Sequence, residues 1–255
     1  MNILFTICAR AGSKGVKGKN TRLLCGRPLA YYTIAAFEEY KIKYPDTQKI
    51  SLAVNTDSEL LNEQINHTGI EYLSVERKDS LAGDIVAKKD VIKDTLKEAE
   101  QLSNVEYDIV VDLDLTSPLR AAEDIKGTIQ ALLEDEGADI AYTVVESRRS
   151  PYFNMVSKNE NGYYSTVIAS EFVARQQVPA CYEMNASIYA YRRDYLLSSR
   201  LNERNAKIWV MKDTGILDID SEHDLKFMEL TADYVWSNDT AYLSVKKRAE
   251  TYTII

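Results

Sequence analysis

The sequence has few of the residues that mark proteins held together by disulfides or metals. It contains 3 cysteines in 255 residues, Cys8, Cys25 and Cys181, and they form no CxxC pair. An odd number without that spacing argues against a disulfide framework and a structural zinc site, so we expect free thiols. The 2 histidines, His67 and His223, have no neighbouring metal ligands at a useful spacing. We expect both to be structural.

Long apolar runs and excess positive charge are also missing. No apolar stretch approaches the roughly 18 residues of a membrane helix, and the apolar start 3–7 is too short for a signal peptide, so we expect a cytoplasmic protein. The 31 lysines and arginines are outnumbered by 39 acidic residues, which gives a net charge of −8. Nucleic acids and anionic membranes are bound through a net basic face, so we expect neither as a partner.

Short β-branched runs alternate with amphipathic stretches along most of the chain. This pattern is typical of βαβ units and predicts an α/β protein whose mostly parallel sheet is flanked by helices. We expect strands at residues 2–8, 49–55, 71–74, 107–113, 139–145, 187–191 and 208–211. We expect helices at residues 28–43, 58–67, 85–102, 121–136 and 221–236. Ser58 and Ser221 are predicted N-caps, and Pro28 is expected in a first helical turn.

The alternation stops between about residues 150 and 182. Two extended runs, 152–156 and 163–168, flank Asn161-Gly162, a pair typical of hairpin turns. The hairpin is either a plain surface feature or an arm that reaches a partner subunit, because its aromatic residues would otherwise be exposed. We therefore divide the chain into a core at 1–145 and 185–238, an extended hairpin arm for dimerisation and the sugar site at 146–184, and a C-terminal extension at 239–255 with a last helix at 240–251.

The first strand leads into a loop rich in glycine and positive charge at residues 9–20. Arg10, Lys14, Lys17 and Lys19 place four cations in this loop, and its three glycines let the backbone approach a ligand closely. A triphosphate needs such a combination of donors and charge; the alternative is a solvated basic loop. The spacing matches neither the Walker A motif nor the GxGxxG fingerprint, so a P-loop kinase and an NAD enzyme both fit poorly.

Asp218 and Asp220 are candidate metal ligands. Residues two apart in extended backbone point to the same side, so both carboxylates would face one site. Mg²⁺ prefers oxygen ligands of this kind, with phosphates and waters completing its coordination. The sequence therefore predicts a magnesium site immediately before the helix that Ser221 caps.

Six segments in a fixed order carry a resemblance to a known family. They are ICARAGSKGVKGKN at 7–20, RKDSLAGD at 77–84, LTSPLR at 115–120, ARQQVP at 174–179, MNASIY at 184–189 and LDIDSEHDL at 217–225. Together they resemble the CMP-sialic acid synthetase (acylneuraminate cytidylyltransferase) family. The longer segments DLDLTSPLR, RRSPYFN and YEMNASIYAY are most similar to the bacterial CMP-legionaminic acid synthetase branch. Phe153 departs from many sialic acid enzymes, which carry a lysine there.

The resemblance implies a Rossmann-like nucleotidyltransferase fold and a homodimer. It implies an enzyme that couples CTP to a nonulosonic acid, legionaminic-type or otherwise N-acetylneuraminic acid, to give a CMP-sugar and pyrophosphate with Mg²⁺. The anomeric 2-hydroxyl of the sugar would attack the α-phosphorus of CTP. Two alternatives stay open: an enzyme like CMP-KDO synthetase, whose opening motif usually differs from GSKG, and a non-catalytic nucleotide-binding protein on the same fold.

The resemblance also implies roles for individual residues. Arg10, Lys19 and Asp220 would be catalytic, and Asp218 and Asp220 would bind the metal. The nucleotide-binding set would be Ala9, Arg10, Ser13, Lys14, Lys19, Asn20, Arg77, Gly83 and Asp84. The sugar-binding set would be Asp114, Arg175, Gln176, Gln177, Asn185 and Tyr189. The structural alternatives are Asp84 as the N-cap of a helix starting at Ile85, Tyr189 as a core residue, and Asp114 as a carboxylate paired with Arg120 or a lysine instead of binding sugar or a second metal.

Overall fold

A seven-stranded sheet lies at the centre of the protein, in a computed structural model that describes residues 1–12, 15–45, 49–83, 85–199 and 205–254, with Arg175 described by its backbone. Strand β1 (Asn2–Cys8) pairs in parallel with β4 (Lys49–Thr56) on one side and with β6 (Ile109–Leu113) on the other. Strand β5 (Leu73–Glu76) extends the sheet beyond β4, also in parallel. The carboxyl ends of these four strands therefore lie along one edge of the sheet.

The other half of the sheet contains a reversed strand. Beyond β6 lies β10 (Tyr182–Arg192), which runs antiparallel to β6 and to β7 (Ile140–Glu146). Strand β11 (Ala206–Val210) pairs in parallel with β7 at the edge. The strand order is β11-β7-β10-β6-β1-β4-β5, which confirms the prediction of an α/β protein with a mostly parallel sheet.

Helices cover both faces of this sheet. Alternate residues of a strand point to opposite faces, so Ile3, Phe5 and Ile7 pack on one side and Leu4 on the other. The helices are α1 (Leu29–Lys43), α2 (Glu59–Asn66), α3 (Lys88–Ser103), α4 (Ala122–Leu133), α5 (Arg193–Leu197), α6 (Glu222–Asn238) and α7 (Thr240–Ala249). Apolar residues of α3 and α5 join the cluster around Leu4, and those of the other helices join the opposite cluster. This burial on both faces explains why the central strands β1 and β6 are mostly apolar.

Most predicted elements lie within three residues of the observed ones. The predicted N-caps are confirmed, because the Ser58 hydroxyl accepts a hydrogen bond from the Leu61 N–H and the Ser221 hydroxyl accepts one from the Asp224 N–H, both at 3.2 Å. Pro28 immediately precedes α1, outside the first turn where it was expected.

The structure differs from the sequence-based expectations most clearly at three places. Helix α3 begins at Lys88, later than the predicted Ile85. Strand β10 begins at Tyr182, earlier than the predicted residue 187, because Tyr182 already pairs with Glu146 of β7. The short helix α5 was not predicted at all.

The region predicted as an arm contains a short hairpin. Strands β8 (Val156–Lys158) and β9 (Tyr164–Thr166) pair antiparallel, and Gly162 in the connecting turn has φ +86°, a conformation that favours glycine. The predicted first run, 152–156, was wrong except at its last residue, because residues 151–154 form a turn, while β9 lies inside the predicted run 163–168. The side chains of Tyr163 and Tyr164 are exposed to solvent within one chain.

The segment predicted as a C-terminal extension packs on the core. Helix α7 lies against α1 and α4, where the Tyr242 hydroxyl donates to Asp124 Oδ2 at 3.1 Å and Arg248 Nε donates to Glu39 Oε1 at 2.5 Å. Two short strands, β2 (Leu23–Leu24) and β3 (Arg27–Pro28), precede α1. Within the described ranges, no helix is both long enough and apolar enough to cross a membrane.

Candidate functional site

A cleft of about 340 Å³ opens at the edge of the sheet where β1 and β6 end. Loops that follow parallel strands meet at this edge, which is where α/β proteins place ligands. Five separate parts of the chain supply the lining: the end of β1 with the loop after it, the segment after β5, the first residue of α3, the segment after β6 and the segment before α6. The lining residues are Cys8, Ala9, Arg10, Gly15, Lys19, Asn20, Arg77, Lys88, Asp114, Leu115, Thr116 and Asp220.

The basic loop after β1 folds back over its own start. The Ala11 N–H donates to Asp57 Oδ1 at 2.6 Å, and the Asn20 side-chain amide donates to the Arg10 carbonyl at 2.9 Å. Gly18 has φ +61°, which allows the chain to turn back into the short 3-10 helix that carries Asn20. These bonds hold Arg10 and Asn20 on the same wall of the cleft.

The acidic segment reaches the cleft at Asp220, whereas Asp218 is not among the residues that line it. Ile219 is fully buried, and its N–H donates to the Thr116 carbonyl at 2.9 Å in the loop after β6. Because alternate side chains of extended backbone point in opposite directions, burying Ile219 turns Asp218 and Asp220 away from the core. The segment is thereby anchored beside the end of β6.

The basic loop and the acidic segment meet across the cleft. Lys19 Nζ donates to Asp220 Oδ1 at 3.0 Å, although the two residues are 201 positions apart in sequence. Gly15 lies so close to the Asp220 carbonyl that a side chain at position 15 would collide with it. The lysine side chain is 20% exposed and the aspartate 75%, so both remain accessible to a ligand.

The acidic segment fits a divalent cation. Burial and the neighbouring Asp220 carboxylate raise the pKa of Asp218 to about 6, and Lys19 opposes this shift only in part. The carboxylates of Asp218 and Asp220 repel each other, and a bound Mg²⁺, which prefers oxygen ligands, would neutralise their negative charge. In the described part of the chain, no group of three or more His, Cys, Asp or Glu side chains could enclose a metal, so phosphates and waters would have to supply its other ligands.

Asp114 does not present a free carboxylate to the cleft. Its Oδ1 accepts hydrogen bonds from the Thr116 N–H at 2.8 Å and hydroxyl at 2.7 Å, and its Oδ2 accepts one from Lys88 Nζ at 2.5 Å. Arg120 donates to the main-chain carbonyl of Asp114 and not to its carboxylate. Of the alternatives for Asp114, the structure therefore shows pairing with a lysine.

Lys88 is the cleft residue that sequence reasoning missed. Its ammonium also lies 2.7 Å from Oδ2 of the fully buried Asp112 and 5.9 Å from the ring centre of Tyr189. A lysine in the first turn of a helix opposes the helix dipole, and that mismatch was the available signal. Tyr189 lies on β10, partly buried beside this lysine, so its core and sugar-side roles are compatible.

Four predicted sugar-side residues are not among the described residues that line the cleft within one chain: Tyr189, Asn185, Gln176 and Gln177. Asn185 is buried, and its side-chain oxygen Oδ1 accepts a hydrogen bond from the Thr143 hydroxyl at 2.6 Å, so its side chain has a structural role here. Gln177 accepts hydrogen bonds from two N–H groups at the start of its own turn, while Gln176 is exposed. The backbone places Arg175 in the same 3-10 turn, at the end of the hairpin arm.

The predicted nucleotide-side residues divide between the cleft and its margin. Ala9, Arg10, Lys19, Asn20 and Arg77 line it. Burial lowers the pKa of Arg77, whose Nη1 is buried without a hydrogen-bond partner in the described structure and is therefore available to a ligand. Gly83 lies outside the lining, where a Cβ would make ordinary contact with Val86. Ser13, Lys14 and Asp84 lie outside the described residues.

A model of the family described as Cytidylyltransferase matches residues 4–229. The chain is 36% identical over 229 residues to the CMP-N,N'-diacetyllegionaminic acid synthase of Campylobacter jejuni, covering 89% of this chain and 93% of that protein. It is 35% identical over 232 residues to the post-translational flagellin modification protein B of Campylobacter coli, with the same coverage. An N-acylneuraminate cytidylyltransferase of Streptococcus agalactiae is 30% identical over 227 residues, which span 88% of this chain but 52% of that enzyme.

Solved structures show the same fold. A CMP:2-keto-3-deoxy-manno-octonic acid synthetase complexed with CTP matches with a TM-score of 0.61 and 20% identity, covering 92% of this chain and 100% of that one. The 4-diphosphocytidyl-2C-methyl-D-erythritol synthase of Anaerococcus prevotii matches with a TM-score of 0.57 and 15% identity, covering 91% of this chain and 98% of that one. At these identities the likeness is one of fold.

Proposed function

This chain belongs to the cytidylyltransferase family, and from that membership we propose that it joins CTP to a nonulosonic acid, giving a CMP-sugar and pyrophosphate. The observation that carries the proposal is the contact of the basic loop with the acidic segment, Lys19 to Asp220 at 3.0 Å, in the cleft at the end of the parallel strands. The names of the Campylobacter and Streptococcus relatives support a sugar acid as the second substrate.

The proposed reaction is one displacement at phosphorus. The anomeric 2-hydroxyl oxygen of the sugar acid forms a bond to the α-phosphorus, and the bond from that phosphorus to the oxygen bridging the β-phosphate breaks. The bonding electrons leave with pyrophosphate. We assign removal of the hydroxyl proton to Asp220, and we assign stabilisation of the negative charge on the departing pyrophosphate to Arg10 and Lys19.

We assign the nucleotide and the metal to different segments of the chain. We propose that the triphosphate, ribose and base contact residues of the loop after β1 and of the segment after β5: Ala9, Arg10, Ser13, Lys14, Lys19, Asn20, Arg77, Gly83 and Asp84. Asp218 and Asp220, in the segment before α6, would hold Mg²⁺. When bound, Mg²⁺ would neutralise charge on the α-phosphate and the sugar carboxylate. Burial and the neighbouring Asp220 carboxylate raise the pKa of Asp218, and a cation at this position would offset both effects.

The sugar would lie on the side of the cleft formed by Tyr189, Asp114 and Lys88, with Arg175 and Gln176 approaching from the arm. We propose a legionaminic-type acid as the substrate. Two observations support this choice: Phe153 replaces the lysine of many sialic acid enzymes, and the chain is 36% identical to a CMP-N,N'-diacetyllegionaminic acid synthase over nearly its whole length.

We further propose that two copies of the chain form a homodimer through the hairpin arm. Several apolar side chains of the arm are exposed in a single chain, and a partner would cover them: Val156, Tyr163, Tyr164 and Val173. Replacing Tyr163 and Tyr164 with serine should shift the mass measured by light scattering towards that of a monomer. A monomeric wild-type protein with full activity at micromolar concentration would contradict the dimer.

Pyrophosphate release measured with CTP and a panel of sugar acids tests the proposed reaction. The panel contains legionaminic, N-acetylneuraminic, pseudaminic and KDO acids, and we expect the highest kcat/KM with the legionaminic type. Release with KDO acid alone would indicate an enzyme like CMP-KDO synthetase. Binding of CTP, seen by calorimetry, without release from any acid would indicate a non-catalytic protein.

Substitution of the acidic segment tests the assigned roles. Asp220→Asn should lower kcat by about 10²–10³-fold, because several kcal/mol of charge stabilisation are lost, and should leave the fold intact. The matched control is Arg22→Gln, which removes the exposed Arg22–Glu222 ion pair joining the same two parts of the chain outside the cleft. An exposed pair contributes little, so the control should keep normal turnover. Equal turnover in both variants would refute the role of Asp220.

A further inference from the structure

Lys88 lies at the N-terminus of α3, where the helix dipole disfavours a positive charge. It is the first residue of α3, and no side chain caps that helix end. A positive charge in the first turn is repelled by the helix dipole. The ammonium instead lies between two carboxylates at the end of β6, 2.7 Å from Asp112 Oδ2 and 2.5 Å from Asp114 Oδ2.

Three of the four oxygens of these two carboxylates accept hydrogen bonds; the fourth, Asp112 Oδ2, has no hydrogen-bond partner in the described structure but lies 2.7 Å from the ammonium of Lys88. Asp112 Oδ1 accepts a hydrogen bond from the Thr6 hydroxyl at 2.8 Å, and Asp114 Oδ1 accepts two from Thr116. The remaining oxygen of each carboxylate faces Lys88. The Asp112 side chain is 0% exposed, so its charge must be balanced by a group inside the protein.

The same pair without the lysine would suit a divalent cation. Magnesium sites in proteins commonly use one or two carboxylates together with waters and substrate phosphates. Asp112 and Asp114 point one oxygen each at a single position in the wall of the cleft, and the ammonium occupies that position. Lys88 lines the cleft with its side chain 36% exposed, so a hydrated ion could reach the site if the ammonium were removed.

We propose that Lys88 is a positioning residue whose ammonium replaces a second metal ion between Asp112 and Asp114, so that metal binding in this cleft belongs to Asp218 and Asp220. The inference rests on the proposed function for the identity of the first metal site. Lys88 reduces the charge of the acidic pair from −2 to −1 without a second ion. Its contact with Asp114 Oδ2 occupies the oxygen of that carboxylate that Thr116 does not bond.

Binding of Mn²⁺ to the full-length protein tests this inference without any turnover. Mn²⁺ favours the same oxygen ligands as Mg²⁺, and its free concentration is read by electron paramagnetic resonance. We expect Lys88→Ser to bind one more Mn²⁺ per chain than the wild type. The additional ion should disappear in Lys88→Ser/Asp114→Asn and should remain in Lys88→Ser/Asp218→Asn.

A second variant keeps the test decisive if Lys88→Ser fails to fold. Asp114→Asn alone retains the pair of Lys88 with Asp112, and it should bind as many Mn²⁺ ions as the wild type. Loss of an ion in this variant would overturn the inference, as would a folded Lys88→Ser that gains none. If Asp218→Asn alone binds as many ions as the wild type, the metal assignment in the proposed function fails, while the gain in Lys88→Ser still reports on Lys88.

Discussion

Replacing Gly15 with alanine tests whether the basic loop must touch the acidic segment. A Cβ built on Gly15 would lie 2.3 Å from the carbonyl oxygen of Asp220, whereas real Cβ atoms essentially never come within 3.0 Å of another heavy atom. The loop and the segment must therefore separate by at least about 0.7 Å to reach an allowed contact. The Lys19–Asp220 contact at 3.0 Å would lengthen by a comparable amount.

A displacement of about 0.7 Å should lower the rate of catalysis strongly and change the stability of the fold only a little. Misplacing reacting groups by about 1 Å can cost about 10²-fold in rate, so we expect kcat/KM for pyrophosphate release to fall on the order of 10- to 100-fold. Gly15 and Asp220 are both exposed, so the thermal unfolding temperature should change by only a few degrees. The assay is pyrophosphate release with CTP and the preferred sugar acid.

The chain offers a matched control in the same loop. Gly12→Ala adds the same methyl group, but among the described residues beyond its chain neighbours no atom lies within 4 Å of the added carbon. Its loss of activity should be much smaller than that of Gly15→Ala. Equal activities in the two variants would show that the close approach of Gly15 to Asp220 has no catalytic importance.

Two further predictions concern stability. Gly127→Ala should lower the free energy of unfolding in urea by about 1–3 kcal/mol, because a methyl group there would overlap the Trp209 ring. The control is Gly137→Ala, whose nearest neighbour is a flexible side chain and whose free energy of unfolding should change by less than about 0.5 kcal/mol. Burial alone would raise the pKa of Asp114, but Lys88 and the Thr116 hydrogen bonds hold that pKa well below its ordinary value. The ionised Asp114 carboxylate therefore stabilises the fold above about pH 4, and this contribution is lost as the pH falls towards the folded pKa. Lys88→Met should therefore lower stability at pH 7 by about 2–3 kcal/mol and reduce the further loss between about pH 7 and pH 3; an unchanged profile would contradict the pairing.

Features set by neighbouring residues were predictable from the sequence. The short apolar, β-branched run at residues 2–8 predicts β1 with its correct bounds, and a serine before acidic residues predicts the caps at Ser58 and Ser221. The spacing of Asp218 and Asp220 predicts that both carboxylates leave the same side of the chain. In each case the interaction that decides the outcome spans only a few positions, so a local pattern contains it.

Contacts between distant segments were decided by the tertiary structure. Strand β10 is reversed and begins at Tyr182 because β7 offers it a partner, and no residue near Tyr182 carries that information. Asn185 matches a family segment, yet packing turns its amide towards Thr143. Lys88 and Asp114 meet because α3 and the end of β6 lie side by side in the folded chain.

The sequence by itself determined the chemical types of group that this protein carries: a glycine-rich cationic loop, a pair of aspartates before a capped helix, and alternating strands that form a parallel sheet. Only the tertiary structure decided which of these groups act together, bringing Lys19 to Asp220 across 201 positions and giving Asp114 a lysine partner. The physical reason is the distance along the chain between the residues that interact. Backbone pattern and capping are governed by adjacent residues, whereas ion pairs in a cleft depend on the order of strands that bring remote segments to one edge of a sheet.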